Sequence, residues 1–497
     1  MSRRRVFIVG LLGGGPAFME PLAAQGRLPN WSRLAASGCS GTLASTWPVA
    51  ACTWITMLTG LDVDQHGVVD VCRFDAREFP GLFAEPTGSD AYRGETIFDF
   101  ASRAGLSVAG VSVPMVKPPW PVNGVLVPGV PIAEEVRPPT WPPELRDEIS
   151  PMSACRAHEI DRSDVAACHR YLDFDLARIG EVSRRLYEAR HYDLFFSVFK
   201  VPDIANHLFH ANPVLDDWRS LVDEYEERTD AALGDMLRWV DPESVVIVVS
   251  DHGNCMMPSW TFRVSSWLEQ QGFLARRHAS SVGPRALESL QRAYRAVRGA
   301  PGAEWLKRRL PAPVLDAGRA LGHHWPFVDL GRTRVYPVNH FYPLAGFEVN
   351  LRGRQATGIV EAADFERTRD EIVDALRAMR VPGTDRPLCR SIHRREEIFT
   401  GPHAEKFADV VAELDRDVEA DLRFATQVFE PNPGKPTFGY RGYHAPEAVF
   451  LANGPGIRSG RIVDGALRDV MPTLMDLLDV PMAEDRRGRA LPIRQAS

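Results

Sequence analysis

Short runs of consecutive apolar residues recur along the chain and predict buried strands. The runs are Val6–Val9, Val108–Val113, Leu194–Val198 and Val245–Val249. They do not alternate with polar residues, which is typical of parallel strands covered on both faces. Helical patterns lie between them, the longest near Ala166–Ala189. This order predicts an α/β fold with a central, mostly parallel sheet between layers of helices.

Acidic and histidine side chains stand at the ends of these predicted strands. Asp203 and His207 follow the third run, four residues apart, so a helix beginning there would carry both on one face. Asp251 and His252 directly follow the fourth run, and His444 precedes a further apolar run. Because ligands gather at the carboxyl ends of parallel strands, we expect these side chains to lie close together.

Two carboxylates and three imidazoles suit Zn²⁺ or a similar borderline ion better than Mg²⁺ or Ca²⁺, which prefer oxygen ligands. An Asp-x-x-x-His pair alone is a weak signal, since such pairs are common on solvated helices. The sequence SDHG directly after VVIVV is a stronger one, because buried ionisable groups need partners. Lys200 lies three residues before Asp203 and is predicted to bind an anionic substrate group at the mouth of the site, with a solvated lysine as the alternative.

Charge and composition narrow the classes of partner. The net charge of −7 argues against a protein that binds nucleic-acid polymers by neutralising phosphates. The sequence has no run of 18 apolar residues, so it predicts no membrane-spanning helix. Its seven scattered cysteines contain no Cys-x-x-Cys, which favours a reduced, cytoplasmic protein.

One segment is predicted to be an insertion. Residues 260–326 carry basic helical stretches such as RALESLQRAYRAVRG and AEWLKRRL. We expect residues 1–259 and 327–497 to form one discontinuous core, and residues 260–326 to form a cap, a lid or a surface for a protein partner. A solvated helical excursion without a role is the alternative.

Several further segments carry a resemblance, in chain order: VFIVGLLGGGPAFMEPLAAQGRLPNWSRLAASG, STWPVAACTWITMLTG with DVDQHGVVD, VPDIANHLFH, VVIVVSDHG, GFEVNLRGRQATGIV and GYHAPEAVFLANGPGIRSG. Together they resemble the alkaline phosphatase superfamily, specifically its type I phosphodiesterase and nucleotide pyrophosphatase branch. The similarity runs over nearly the whole chain. It implies a three-layer αβα sandwich with inserted cap segments, and a small anionic substrate such as a phosphate ester or nucleotide.

The resemblance also implies two metal sites. The first would use Asp203, His207 and His444, which are all present. The second would use Asp251 and His252, together with an aspartate after the first strand and a Thr or Ser nucleophile.

The sequence departs from the family at the last two of these positions. Where relatives read Gly-Leu-Asp-Gly this chain has Leu12, and the nucleophile position falls on Ala50, or on Ala51 if counted from the preceding segment. Asp251 and His252 alone are fewer ligands than catalytic zinc usually has, so we expect one ion rather than two. Cys52 and Thr53 lie within one turn of Ala50 and are the fallback nucleophiles; Cys52 would need a lowered pKa.

Three interpretations stay open. In the favoured one, the chain is a divergent metal-dependent phosphodiesterase or pyrophosphatase that acts on a phosphate, sulfate or phosphonate ester or a nucleotide without the family's Thr or Ser nucleophile. In the second, it is an inactive pseudoenzyme that binds a metal or an anionic ligand and serves as a partner protein. In the third, it is a structural relic, which is disfavoured because five buried ionisable groups are costly to hold together without a metal.

Overall fold

The computed structural model describes residues 4–45, 47–70, 88–129, 136–155, 160–212, 214–277, 327–432, 442–482 and 485–495. The strands in these residues are β1 (Val6–Leu11), β2 (Cys39–Ala44), β3 (Val108–Val113), β4 (Gly124–Pro128), β5 (Leu194–Phe199), β6 (Val245–Ser250), β7 (Gly253–Cys255), β8 (Trp260–Arg263), β9 (Val335–Phe341), β10 (Leu344–Val349), β11 (Cys389–Arg394), β12 (Val410–Leu414), β13 (Val418–Asp421), β14 (Phe429–Pro431), β15 (Tyr443–Ala445), β16 (Glu447–Asn453) and β17 (Gly460–Ala466).

The α-helices in the same residues are α1 (Pro16–Ala24), α2 (Pro29–Ser37), α3 (Ala50–Thr59), α4 (Val63–His66), α5 (Ile97–Arg103), α6 (Leu145–Ile149), α7 (Val165–Ala189), α8 (Val201–Phe209), α9 (Trp218–Leu237), α10 (Val264–Gln270), α11 (Phe365–Arg377), α12 (Arg395–Ile398) and α13 (Val470–Leu477). None of these helices is long and apolar enough to cross a membrane.

The largest sheet has eight strands in the order β17-β2-β16-β6-β1-β5-β3-β4. Strand β1 runs parallel to both β5 and β6, and β16 is antiparallel to its two neighbours β2 and β6. Every residue of β1, β3, β5 and β6 is buried, which explains their uninterrupted apolar sequences. The predicted α/β fold with a mostly parallel central sheet is confirmed.

Helices cover both faces of this sheet. Along β1, Val6 and Ile8 belong to one buried cluster, together with residues of α3, α5 and α13. Phe7 and Val9 alternate with them and belong to a second cluster, with residues of α1, α2, α7 and α9. Successive side chains of a strand point to opposite faces, so the sheet is the middle layer of three.

The described residues form two compact units. The first contains β1–β7, β15–β17 and their helices; the second lies in residues 257–277 and 327–432 and contains β8–β14. The second unit has a four-stranded sheet, β11-β12-β10-β9, a three-stranded sheet, β13-β8-β14, and its own buried apolar cluster.

Residues 350–354, with the sequence NLRGR, connect several parts of this second unit through hydrogen bonds. The Asn350 side-chain amide lies within hydrogen-bonding distance of the carbonyl oxygens of Leu330 at 2.9 Å, Thr333 at 2.8 Å and Thr357 at 3.1 Å. The Arg354 guanidinium donates to the fully buried carboxylate of Asp409 at 2.7 Å. These contacts give the segment a structural role.

The predicted insertion falls partly outside the described residues. Residues 278–326 are not described, so a cap or lid role for 260–326 stays a prediction. Residues 327–432, which the sequence assigned to the core, belong to the second unit instead. The reason is that β8, which precedes residues 278–326, pairs with β13 and β14, which follow them. The chain on either side of residues 278–326 therefore belongs to the same unit.

Candidate metal centre

Helix α8 positions the first pair of predicted ligands. It begins directly after β5, with Pro202 in its first turn, where a missing N–H costs nothing. Asp203 lies in that turn, and its backbone N–H donates to the carbonyl of Leu12 at 3.0 Å, which ties the helix to the end of β1. His207 follows one turn later, with Nε2 at 3.3 Å from Asp203 Oδ2. The predicted shared helix face therefore exists.

A small antiparallel sheet of two strands that are distant in sequence brings the other histidines to the same place. Strand β7 follows Asp251 and His252 and pairs with β15, so that His444 lies opposite Asn254. The rings of His252 and His444 stack at 3.8 Å between centroids. His444 Nε2 lies 3.3 Å from Asp203 Oδ1 and 3.3 Å from His207 Nε2. Residues separated by more than 200 positions thus converge at one edge of the sheet.

Three of these residues can offer ligand atoms to a single ion. Ligand atoms of Asp203, His252 and His444 lie within 4.8 Å of one another. Asp203 and His252 are buried and His444 is partly exposed, which leaves access on the His444 side. His252 Nε2 is buried without a hydrogen-bond partner, as expected of a nitrogen that binds a metal. The residues present fit a Zn²⁺-like ion.

The charges in this cluster act on each other strongly. Burial opposes ionisation of Asp203, but the neighbouring His207 and His444 hold the pKa of its carboxyl well below the ordinary value. Burial, reinforced by Asp203, raises the pKa of Asp251 well above its ordinary value. Burial, reinforced by His444, lowers the pKa of His252 to about 3, so this ring is neutral at pH 7 and its lone pair is available.

Leu12 stands where the family resemblance implied an aspartate, and it supplies no ligand atom. The Leu12 side chain is buried in the apolar cluster that covers one face of the sheet. Asp251 Oδ1 accepts a hydrogen bond from the Gly13 N–H at 3.2 Å, and Asp251 Oδ2 pairs with the Thr53 hydroxyl at 3.2 Å. Ala50, at the start of α3, offers no side-chain oxygen.

Both fallback nucleophiles are buried in this arrangement. Cys52 is fully buried, and burial together with Asp70 raises the pKa of its thiol well above the ordinary value, which favours the unreactive thiol form. Thr53 is buried, and its hydroxyl also lies 2.9 Å from the carbonyl of Ala50.

Lys200 does not lie at an exposed mouth of the site. Its amine is buried, 2.7 Å from Asp175 Oδ2 on α7, and donates to Ser153 Oγ at 3.2 Å and to the Tyr171 hydroxyl at 3.1 Å. The predicted binding of an anionic substrate would require the amine to leave this pair.

Two residues near the centre were not predicted. Gly13 has a φ of +77°, and a β-carbon there would stand 2.7 Å from Asp203 Cβ. The glycine therefore allows both the close approach and the N–H bond to Asp251. Asn254 has a buried Oδ1 without a hydrogen-bond partner. The glycine run after β1 and the asparagine after SDHG are the sequence signals that could have indicated them.

A family model described as type I phosphodiesterase / nucleotide pyrophosphatase matches residues 6–420. The chain belongs to this family. Members are metal-dependent phosphoester hydrolases of the alkaline phosphatase superfamily, and they act on small phosphate esters and nucleotides. The recognition made from the sequence motifs is thus confirmed.

Solved structures share the fold at low sequence identity. Human ectonucleotide pyrophosphatase / phosphodiesterase 5 is 13% identical, with a TM-score of 0.50 over 98% of this chain and 97% of that chain. Phosphonoacetate hydrolase from Sinorhizobium meliloti 1021, in complex with phosphonoacetate, is 14% identical, with a TM-score of 0.51 over 96% of both chains. Comparison with curated proteins gave no match.

Proposed function

We propose that this chain is a divergent phosphoester hydrolase that holds one Zn²⁺-like ion and hydrolyses a small phosphate ester, nucleotide or phosphonate without a covalent enzyme intermediate at residue 50. The observation that carries the proposal is the convergence of Asp203, His252 and His444 within 4.8 Å, with a buried imidazole nitrogen that has no hydrogen-bond partner. Membership of a metal-dependent hydrolase family supports it.

The proposed reaction needs a bound ion, an approach for the substrate and an attacking group. An ion at this cluster would supply Lewis-acid chemistry, polarising a phosphoryl oxygen or lowering the pKa of a bound water. The partly exposed side of His444 provides the approach for the substrate. Ala50 carries no hydroxyl and the Cys52 thiol is buried, so the attacking group in this proposal is water.

The experiment compares purified wild-type protein with two histidine variants. Zinc-loaded wild type should hydrolyse bis-p-nitrophenyl phosphate, p-nitrophenyl phosphate or phosphonoacetate, and His252→Ala should lose this activity. His191→Ala changes an exposed histidine on the segment between α7 and β5 and serves as the matched control. Equal rates in His252→Ala and wild type would contradict the proposal.

A pseudoenzyme is the second candidate, and Ala50 is the observation that favours it. In that case the zinc-loaded protein would bind AMP or inorganic phosphate in a calorimetric titration but release no product from any ester. Turnover of about 10 per second, which is usual for enzymes, would exclude the pseudoenzyme.

A further inference from the structure

We infer that this chain has a second ligand site, apart from the metal centre, which binds the carboxylate or phosphate group of a small anionic molecule. The site is a pocket in the first unit with an empty volume of about 260 Å³, part of it open to solvent. None of the predicted metal ligands lines it. The polar and aromatic residues that line it are Ser45, Trp47, Thr56, Asp62 and Arg468.

Arg468, which follows β17, presents an unused edge of its guanidinium group. Nη1 lies 3.1 Å from each carboxylate oxygen of Asp62, and these are the only hydrogen bonds of the Arg468 side chain within the described part of the chain. Nε is buried and has no hydrogen-bond partner. Together, Nε and Nη2 form the kind of two-donor edge with which arginine binds a carboxylate or a phosphate bidentately. Because a buried donor without a partner is destabilising, this edge favours an anionic ligand.

Thr56, on α3, adds a hydroxyl group that can donate to the same ligand. The backbone N–H of Val68 donates to His66 Nδ1 at 3.1 Å, so the proton of the neutral ring lies on Nε2. Nε2 is 3.1 Å from Thr56 Oγ1 and therefore donates to it. Among the residues that the structure describes, Thr56 Oγ1 has no other hydrogen-bond partner, and Thr56 is only 8% exposed. The proton of this hydroxyl therefore remains to be donated to a ligand.

The other polar groups of the pocket favour an anion over a cation. Ser45 Oγ accepts from the Trp47 N–H at 3.3 Å, which leaves the proton of the Ser45 hydroxyl as a further donor. The carboxylate of Asp62 is already paired with Arg468, and it also lies 3.4 Å from Arg487 Nη1. The pocket thus combines unmatched donors with a carboxylate that is already matched. This arrangement suits a carboxylate or a phosphate better than an amine.

Calorimetric titrations of the full-length protein test the inference. The protein is freed of metal with a chelator and dialysed, so that the metal centre does not contribute, and it is titrated with sodium phosphate and, separately, with sodium acetate. At least one of the two anions should bind, and the comparison tells a phosphate site from a carboxylate site. Because no metal and no turnover are involved, a negative result would leave the proposed hydrolysis intact.

Three variants locate the binding. Arg468→Lys keeps the positive charge but loses the two-donor edge, so the affinity should fall by about tenfold or more. Thr56→Val keeps the shape of the side chain but removes the hydroxyl, so the affinity should fall by about tenfold. Arg487→Lys is the matched control, because Arg487 also contacts Asp62 but does not line the pocket. Its affinity should stay within a few-fold of wild type.

Several results would overturn the inference. These are the binding of neither anion to wild type, wild-type affinity in both Arg468→Lys and Thr56→Val, and binding of methylammonium in place of the anions. Circular dichroism checks the folding of each variant. If a variant does not fold, crystals of wild type soaked in phosphate or acetate locate the anion directly, and an anion found away from Arg468 would contradict the assignment.

Discussion

Removing the amine of Lys200 should destabilise the protein strongly. The amine is 2.7 Å from the carboxylate of Asp175, and the two side chains are 7% and 0% exposed. Lys200→Met would leave that carboxylate buried without its cation. Breaking one partner of a buried pair costs about 3–5 kcal/mol. Because 1.4 kcal/mol is a tenfold change, the unfolded fraction should rise by roughly 150- to 4000-fold.

A double replacement tests the physical reason for this loss. Lys200→Met with Asp175→Leu leaves no buried charge and should recover most of the stability. Arg238→Met is the control, since Arg238 and Asp235 form an ion pair in which both side chains are mostly exposed, at 74% and 64%. Exposed pairs contribute little, so this change should have a small effect.

Urea unfolding of wild type and of the three variants, monitored by circular dichroism with and without zinc, measures these effects. Lys200 precedes the first turn of α8, so the single variant should also bind zinc more weakly. A single variant within 1 kcal/mol of wild type, or a double variant no more stable than the single one, would refute the reasoning.

Three further changes test other parts of the account. Gly13→Ala should reduce both stability and zinc affinity, because its β-carbon would stand 2.7 Å from a side-chain atom of α8. Gly105→Ala is the control, since Gly105 has the same φ of +77° and nothing lies within 4 Å of its β-carbon position. This control should cost about 1–3 kcal/mol in urea unfolding and leave zinc affinity unchanged. The double change Leu12→Asp with Ala50→Thr should raise the zinc content from one to two ions and increase hydrolysis of bis-p-nitrophenyl phosphate; an unchanged ion count would contradict it. Burial raises the pKa of Glu226 from 4.5 to about 8, so the folded state keeps a proton that the unfolded state releases between these values. Glu226 should therefore contribute a fall in the free energy of unfolding as pH rises from 4.5 to 8, on the order of 1.4 kcal/mol per unit. Glu226→Gln should make the measured slope shallower by that amount, and an unchanged slope would contradict the reasoning.

The central sheet could be predicted because its strands are buried on both faces and therefore apolar throughout. The ends of three of the four strands were placed one or two residues too early, whereas Val108–Val113 coincides with β3. Val6–Val9 continues to Leu11, because Leu11 still pairs with Phe199 on one side and Ser250 on the other. The second unit could not be predicted in this way, since its strands are short and several are only partly buried.

A site residue could be predicted from the sequence where its position depends only on the end of the strand that precedes it. Asp203 and His207 needed only a helix beginning after β5, and the structure has that helix. Lys200 could not be placed, because its direction depends on Asp175, an acidic residue inside α7 with no sequence signal of its own. The hydrogen bond from the Gly442 N–H to His207 Nδ1 could not be predicted either, because the two residues are 235 positions apart in the sequence.

We propose a single metal centre in this chain, because Leu12 and Ala50 supply no ligand to a second one. Elemental analysis of the full-length protein, refolded with zinc and then dialysed against zinc-free buffer, tests it most directly. One zinc ion per chain is the predicted result. A zinc content near zero would contradict the existence of the centre, and two ions per chain would contradict the loss of the second site.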